Sequence, residues 1–240
     1  MKYLASVSYD GSKFYGFQRL PKNISVQKVI EDALTKINKT KVVVKGAGRT
    51  DRGVHAIDQK IHFDLSINIE ADRLKNALNS LVGEYIYIND VINVNDDFHA
   101  RFDVKMKTYE YIINMGEYNP IKNDYFYNYN HKLNIKAMKK ASTYLLGAHD
   151  FQAFTSGERN NYNSIIKSID FKKINNELHI TFKGKSFYRY MVRNLVGALI
   201  IVGNGKIKPI DMKNMLEKKD NIYNYMTVPA GGLYLKHIEY

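Results

Sequence analysis

Gly46-Ala47-Gly48-Arg49-Thr50-Asp51-Arg52-Gly53-Val54-His55-Ala56 crowds one carboxylate, two guanidiniums and three glycines into its first eight residues. The glycines permit positive φ and close backbone approach. Asp51 stands between Arg49 and Arg52, and positive charge on both sides favours an ionised carboxylate. Such a group serves equally as a base, a nucleophile or a metal ligand. An arginine beside it either pairs with it or grips a phosphate through two N–H groups. The spacing is neither that of a P-loop nor that of a dinucleotide fingerprint. Locally, Asp51-Arg52-Gly53 also reads as an ordinary turn, in which aspartate bonds its own backbone.

Outward from this loop, Val42–Val44 and Ile57–Leu65 read as flanking strands. Before them, Lys2–Tyr9 is strand-like and turns at Asp10-Gly11. Ser25 offers an N-cap to a helix whose apolar face is Val26, Val29, Ile30, Ala33, Leu34 and Ile37. After them come a helix over 71–81 and strands at Tyr85–Val94 and Lys105–Asn114. Pro120–Asn130 is polar, aromatic and aperiodic, and reads as linker. A second cycle follows: a helix capped by Asn134 and ending at Gly147, a hairpin of Ile165–Ile174 and Glu177–Phe182 turning at Asn175-Asn176, and a long helix from Ser186 to Val202. A short helix opened by Pro209 and a closing strand in Gly232–Tyr240 complete it. The pattern predicts an α+β protein of two related halves with mostly antiparallel strands. Residues 1–115 would form the half carrying the Asp51 loop, 116–132 a linker, and 133–240 a second, basic half.

Composition narrows the chemistry. The chain has no cysteine, which excludes disulfides, thiolate catalysis and cysteine-bound metals. No apolar run approaches the roughly 18 residues of a membrane span, and the first residues lack the apolar core and cleavage site of a signal peptide, so a cytoplasmic location is expected. The net charge of +12 is uneven: 17 Lys and Arg face 15 Asp and Glu over residues 1–120, but 19 face 9 over 121–240. A basic half suits a polyanion, because lysines that neutralise phosphates release counterions. A lysine-rich compositional habit accounts for the charge as well. Histidines 55, 62, 99, 131, 149, 179 and 237 form no metal-ligand spacing, and no nucleophile elbow for a serine hydrolase occurs.

The segment 46–56 closely resembles the signature of the TruA-type tRNA pseudouridine synthases. Six further segments resemble that family in its own order: Tyr9–Gln18, Ser25-Val26-Gln27, Asp97–Phe102, Tyr109–Ile112, Phe187 with Met191–Gly197, and Pro229-Ala230 with Gly232–Leu235. The resemblance implies two ferredoxin-like or RRM-like α+β halves joined through a central, mostly antiparallel sheet with helices packed on it and an active-site cleft between the halves. It implies a homodimer that binds RNA across both subunits, and an isomerisation of uridine at positions 38–40 of the tRNA anticodon stem-loop. That reaction breaks the C1′–N1 bond and rejoins the uracil through C5, with no atom gained or lost, so no cofactor and no metal are expected.

By the same resemblance Asp51 is the nucleophile, Tyr109 stacks on the uracil, Arg193 pairs with the catalytic aspartate and Arg49 supports flipping of the target nucleotide. Lys13, Arg19 and Arg101 are candidate phosphate contacts, each equally an ordinary surface charge. Three positions depart from the family pattern. Arg52 stands where a small residue is common, Phe17 where many members have Trp, and Lys167 where Arg is common. Two alternatives stand beside the leading reading: a paralogue acting on ribosomal or another structured RNA, and a non-catalytic RNA-binding protein on the same scaffold. Asp51, Tyr109 and Arg193 together argue against the latter, because a binder of polyanionic RNA has no use for a buried carboxylate.

Overall fold

A computed structural model describes all 240 residues. The elements run β1 (Lys2–Tyr9), α1 (Val26–Asn38), β2 (Lys45–Gly46), β3 (His55–Asp64), α2 (Ala71–Asn79), β4 (Ile86–Asn93), β5 (Met106–Asn114), β6 (Tyr127–Asn128), α3 (Ile135–Ser142), β7 (Gly147–Asp150), β8 (Asn163–Ile174), β9 (Glu177–Gly184), α4 (Met191–Gly203), α5 (Asp211–Lys218) and β10 (Leu233–Glu239). They form two compact units, Met1–Lys105 with Tyr234–Tyr240, and Met106–Leu233. Each is α+β with a mostly antiparallel sheet, as the residue pattern predicts. No helix is long and apolar enough to cross a membrane.

In the first unit the strand order is β4-β1-β3-β10, with β2 on β3. β1 lies antiparallel between β3 and β4, and β10 joins β3 in parallel through Tyr234 opposite His55 and Leu235 opposite Ala56. Tyr3, Ala5 and Val7 of β1 lie in the core with Ile61 and Phe63 of β3, all fully buried, and Leu4 and Ser6 on the other face of β1 are nearly so. Ser25 caps α1, its side chain accepting from the Lys28 N–H. Val42–Val44 forms no strand, because its backbone groups are taken by α1. Val42 N donates to Thr35 Oγ1, Val44 N to the Glu31 carboxylate, and Val44 O accepts from Gln27 Nε2.

In the second unit the order is β5-β9-β8-β7, with β6 parallel to β5. β8 and β9 form the expected hairpin, with Asn175 at φ 51 in the turn. The buried helix begins at Met191 rather than Ser186, because Tyr190 adopts a left-handed conformation (φ 62) that α-helix cannot continue. α3 stops at Ser142, not Gly147. Ser142 and Thr143 hydroxyls donate to the carbonyls of Lys139 and Lys140, and a 3-10 turn follows. The segment 120–130, which reads as linker, is a built part of this unit. It contributes β6, and Asn128, Asn123, Asn119 and Asn114 bond one another and the local backbone.

Candidate functional site

The loop between β2 and β3 is held from beneath by groups far away in sequence. Tyr9 and Thr50 share a buried hydroxyl–hydroxyl hydrogen bond of 2.8 Å. Burial pushes the Tyr9 phenol up to about 12, so it stays a neutral hydrogen-bonding group. Gln59 Nε2 donates to Gly48 O, Ala47 N to Lys60 O, and Phe17 N to Thr50 O. Two glycines outside the loop leave room for it. A Cβ on Gly11 would lie 2.0 Å from Val54 O, and one on Gly16, whose φ is +96, 2.8 Å from Thr50 O. Gly11 N also donates to Nδ1 of the buried His55, whose ring stacks on Tyr234 at 4.7 Å.

Asp51 opens a turn closed by Val54 N donating to Asp51 O, with Gly53 at φ 80. The turn reading of Asp51-Arg52-Gly53 is therefore correct for the backbone, and Asp51 itself is partly exposed. Arg52 is exposed and lies over the Tyr15 ring at 4.3 Å, so its bulk is taken up by a cation–π contact. Arg49 is exposed beside the buried Thr50. Phe17 packs edge-on against Gly46, where a Cβ would sit 2.6 Å from its ring.

The other first-unit candidates differ in character. Lys13 is exposed, its ammonium 5.6 Å from the Tyr85 ring. Arg19 donates to the buried Glu31 at 2.8 Å. Glu31 also accepts from Gln27 Nε2 and Val44 N, so Arg19 neutralises a carboxylate that organises the approach to β2. Arg101 is exposed beside Phe102.

Tyr109 and Arg193 belong to the second unit. Tyr109 is buried in β5, its ring edge-to-face with Phe187 at 5.2 Å. Arg193 stands in the first turn of α4, against the positive end of the helix dipole. Its Nε donates to Val228 O at 2.7 Å, and its guanidinium lies 4.9 Å from the Tyr190 ring. Tyr190 is a bulky residue held at positive φ, a strain of about 1–3 kcal/mol. Val228 is itself positioned by α4, because a Cβ on Gly197 would come within 2.0 Å of Met226 O. Thr227 Oγ1 donates to Asn194 Oδ1, while Asn194 Nδ2 donates to Phe154 O. Lys167 is exposed at an irregularity where β8 slips one residue against β9.

A protein-family model described as tRNA pseudouridine synthase matches residues 5–103 and 141–240. The tRNA pseudouridine synthase A of Streptococcus pyogenes serotype M49 (strain NZ131) is 40% identical over 246 residues, covering 100% of this chain and 99% of that protein. The protein of the same name from serotype M1 matches to the same extent. The chain belongs to the tRNA pseudouridine synthase family. It is thus a pseudouridine synthase, an isomerase that exchanges the C1′–N1 bond of uridine for a C1′–C5 bond. A solved Cbf5-Nop10-Gar1 complex is more distant, with 11% identity and a TM-score of 0.34 over 83% of this chain and 54% of that one.

For a pseudouridine synthase the supporting residues matter as much as the reacting ones. Tyr9, Gln59, Glu31 and His55 are not among the candidate site residues read from sequence, yet Tyr9 and Gln59 hold the Asp51 loop, His55 ties its end to Gly11 and Glu31 holds the approach to β2. The available signal was a set of polar residues at core-facing positions: Gln59 on β3 is fully buried, and Glu31, 3% exposed, lies on the apolar face of α1 with Ile30 and Leu34.

Proposed function

We propose that this pseudouridine synthase isomerises uridines at positions 38–40 of the tRNA anticodon stem-loop, with Asp51 as the nucleophile. The observation that carries the reading is the 40% identity to tRNA pseudouridine synthase A across the whole chain. The Asp51 loop supports it: its backbone is pinned on several sides while its carboxyl remains partly exposed.

Asp51 acts as the C1′–N1 bond breaks. The detached uracil turns, C5 bonds to C1′, the C5 proton leaves and a proton is taken up at N1. Tyr109 stacks on the uracil and assists removal of the C5 proton. Arg193 pairs with Asp51, and a carboxylate there offsets the cost of a cation at the start of α4. Arg49 supports the flipped nucleotide, since a stacked base hides its reactive atoms. Lys13 and Arg101 contact phosphates, and Arg19, occupied by Glu31, contributes through its remaining N–H groups. The enzyme works in the cytoplasm as a homodimer and needs no cofactor.

Carbodiimide mapping of pseudouridine in total RNA, with and without the gene, tests the substrate. Loss of signal at tRNA 38–40 is expected. Loss confined to other RNA would assign a paralogous role, and no loss anywhere would leave only a binder. Asp51→Asn, nearly isosteric, should abolish turnover while the protein stays folded and binds tRNA. Substantial residual turnover would remove the nucleophile assignment.

A further inference from the structure

Between β4 and β5, the segment Asp97-Phe98-His99-Ala100-Arg101-Phe102-Asp103 carries no regular element, yet its backbone is tied at almost every residue. Ala100 N donates to Nδ1 of the buried His62, Arg101 N to His99 Nδ1, and His99 N to Asp103 Oδ2. Phe102 N and Asp103 N both donate to His99 O, and the Tyr240 hydroxyl donates to Ala100 O. On this rigid frame sits a file of rings. His62 meets His99 edge-on at 4.7 Å, and His99 stacks on Phe102 at 4.2 Å with 29° between planes. Phe102 ends the file and is 74% exposed.

We propose that Phe102 is a stacking platform for an unpaired nucleobase of the RNA substrate, and that Arg101 takes the adjoining phosphate. An exposed ring on a pre-ordered backbone binds without first losing conformational freedom, and base–aromatic stacking accepts any base, because every base has a π-face. The Arg101 guanidinium lies 5.9 Å from the same ring, close enough to serve the sugar–phosphate of a stacked nucleotide. A second protein chain fits the site less well. One apolar ring stands among the exposed charges of Asp96, Asp97, Arg101, Asp103 and Lys105, whereas a protein interface covers roughly 800 Å² per partner and its buried centre is depleted of charge. These same charges carry one more carboxylate than cation, so stacking rather than net charge supplies the affinity.

The platform adjoins the β2 end of the loop, where Lys45 pairs with His62, and not the end at which Asp51 turns into β3. His62 lies seven residues along β3 from His55, roughly 23 Å at strand rise. Phe102 therefore anchors a part of the RNA other than the reacting uridine, and its loss should act on binding, not on the chemical step.

The proposal rests on the RNA-modifying reading but is tested apart from it. The chain contains no tryptophan, so Phe102→Trp supplies its one indole at the platform, whose emission is read apart from that of the tyrosines by selective excitation. Its fluorescence should be quenched saturably by tRNA and not by inorganic polyphosphate. Phe102→Leu should raise KM for tRNA roughly five- to hundred-fold, the range set by losing one stacked base. The kcat should stay near that of the unaltered enzyme, and Phe102→Tyr should restore KM. An unchanged KM in Phe102→Leu, or quenching by polyphosphate equal to that by tRNA, would overturn the platform. So would sedimentation showing that Phe102→Leu turns a dimer into a monomer, since the ring would then belong to a protein interface. If the unaltered enzyme leaves positions 38–40 unmodified while tRNA still quenches Phe102→Trp, the site assignment fails and the platform stands.

Discussion

His62 is buried, and its Nδ1 accepts a hydrogen bond from Ala100 N, a role open only to an unprotonated nitrogen. Burial first, and His99 nearby second, pull its pKa down to about 4. The unfolded chain binds that proton near pH 6.5. The stabilisation is therefore complete above about 6.5 and is lost as pH falls toward 4, amounting to about 2 kcal/mol between pH 7.5 and 5.0. Urea unfolding at those two pH values should show this loss in the unaltered protein and a smaller one in His62→Asn, which keeps an acceptor but does not titrate. Equal losses in both would exclude His62 as the titrating group. Residues of this kind are hard to see in sequence. Asp51 became legible only because six other segments fell in the same order as in a known family, since its local spacing is that of a turn. The supporting roles of Glu31, Gln59 and Tyr9 were not legible, because each acts on a partner brought near by folding: Tyr9 meets Thr50 across 41 residues, and Gln59 meets Gly48 across 11.

Among the elements, α4 shows where an intrinsic preference and a packing demand oppose each other. Replacing a helical glycine by alanine ordinarily stabilises by about 1 kcal/mol. At Gly197 the new Cβ would meet Met226 O at 2.0 Å, and a backbone atom cannot swing aside as a side chain can. Gly197→Ala should therefore lower the melting temperature by several degrees. It should also lower kcat, because the displaced segment carries Val228 O, the acceptor for Arg193 Nε. Calorimetry and turnover on one preparation check both, and an unchanged or higher melting temperature would refute the contact. The elements read correctly from sequence were those with local causes: the strand-like run of β1 before Asp10-Gly11, the Ser25 cap of α1, the Asn175-Asn176 hairpin. The misreadings have non-local ones. Val42–Val44 has strand composition but gives its backbone to the side chains of α1. Pro120–Asn130 has linker composition, but asparagine amides there do the work of a sheet edge. Nothing in Ser186–Tyr190 announces the left-handed Tyr190 that delays α4.

At the scale of the whole molecule, the second unit is inserted between two pieces of the first, since Tyr234–Tyr240 returns to the unit that Met1–Lys105 begins. That unit also holds the smaller share of the charge: 17 Lys and Arg against 14 Asp and Glu, compared with 19 against 10 in Met106–Leu233. The RNA attraction of the first unit thus depends on placed groups more than on its overall field. Those groups depend in turn on the returning strand. Tyr234 stacks on His55 at the end of the Asp51 loop, His237 Nδ1 meets the Asp58 carboxylate at 2.7 Å, Lys105 N donates to Glu239 O, and Tyr240 ties down Ala100. β3, left without β10, would expose His55 and the ladder groups of Ala56, and an unpaired buried group costs about 1–3 kcal/mol. Removing Tyr234–Tyr240 should therefore loosen both the Asp51 loop and the Phe102 platform together, while β8 and β9, paired within the other unit, keep their order. Hydrogen exchange resolved by peptide checks this: protection should fall across 46–64 and 97–103 and persist across 163–184. Uniform loss across both units would show that they unfold as one, and protection retained across 46–64 would show that β10 is dispensable to the loop.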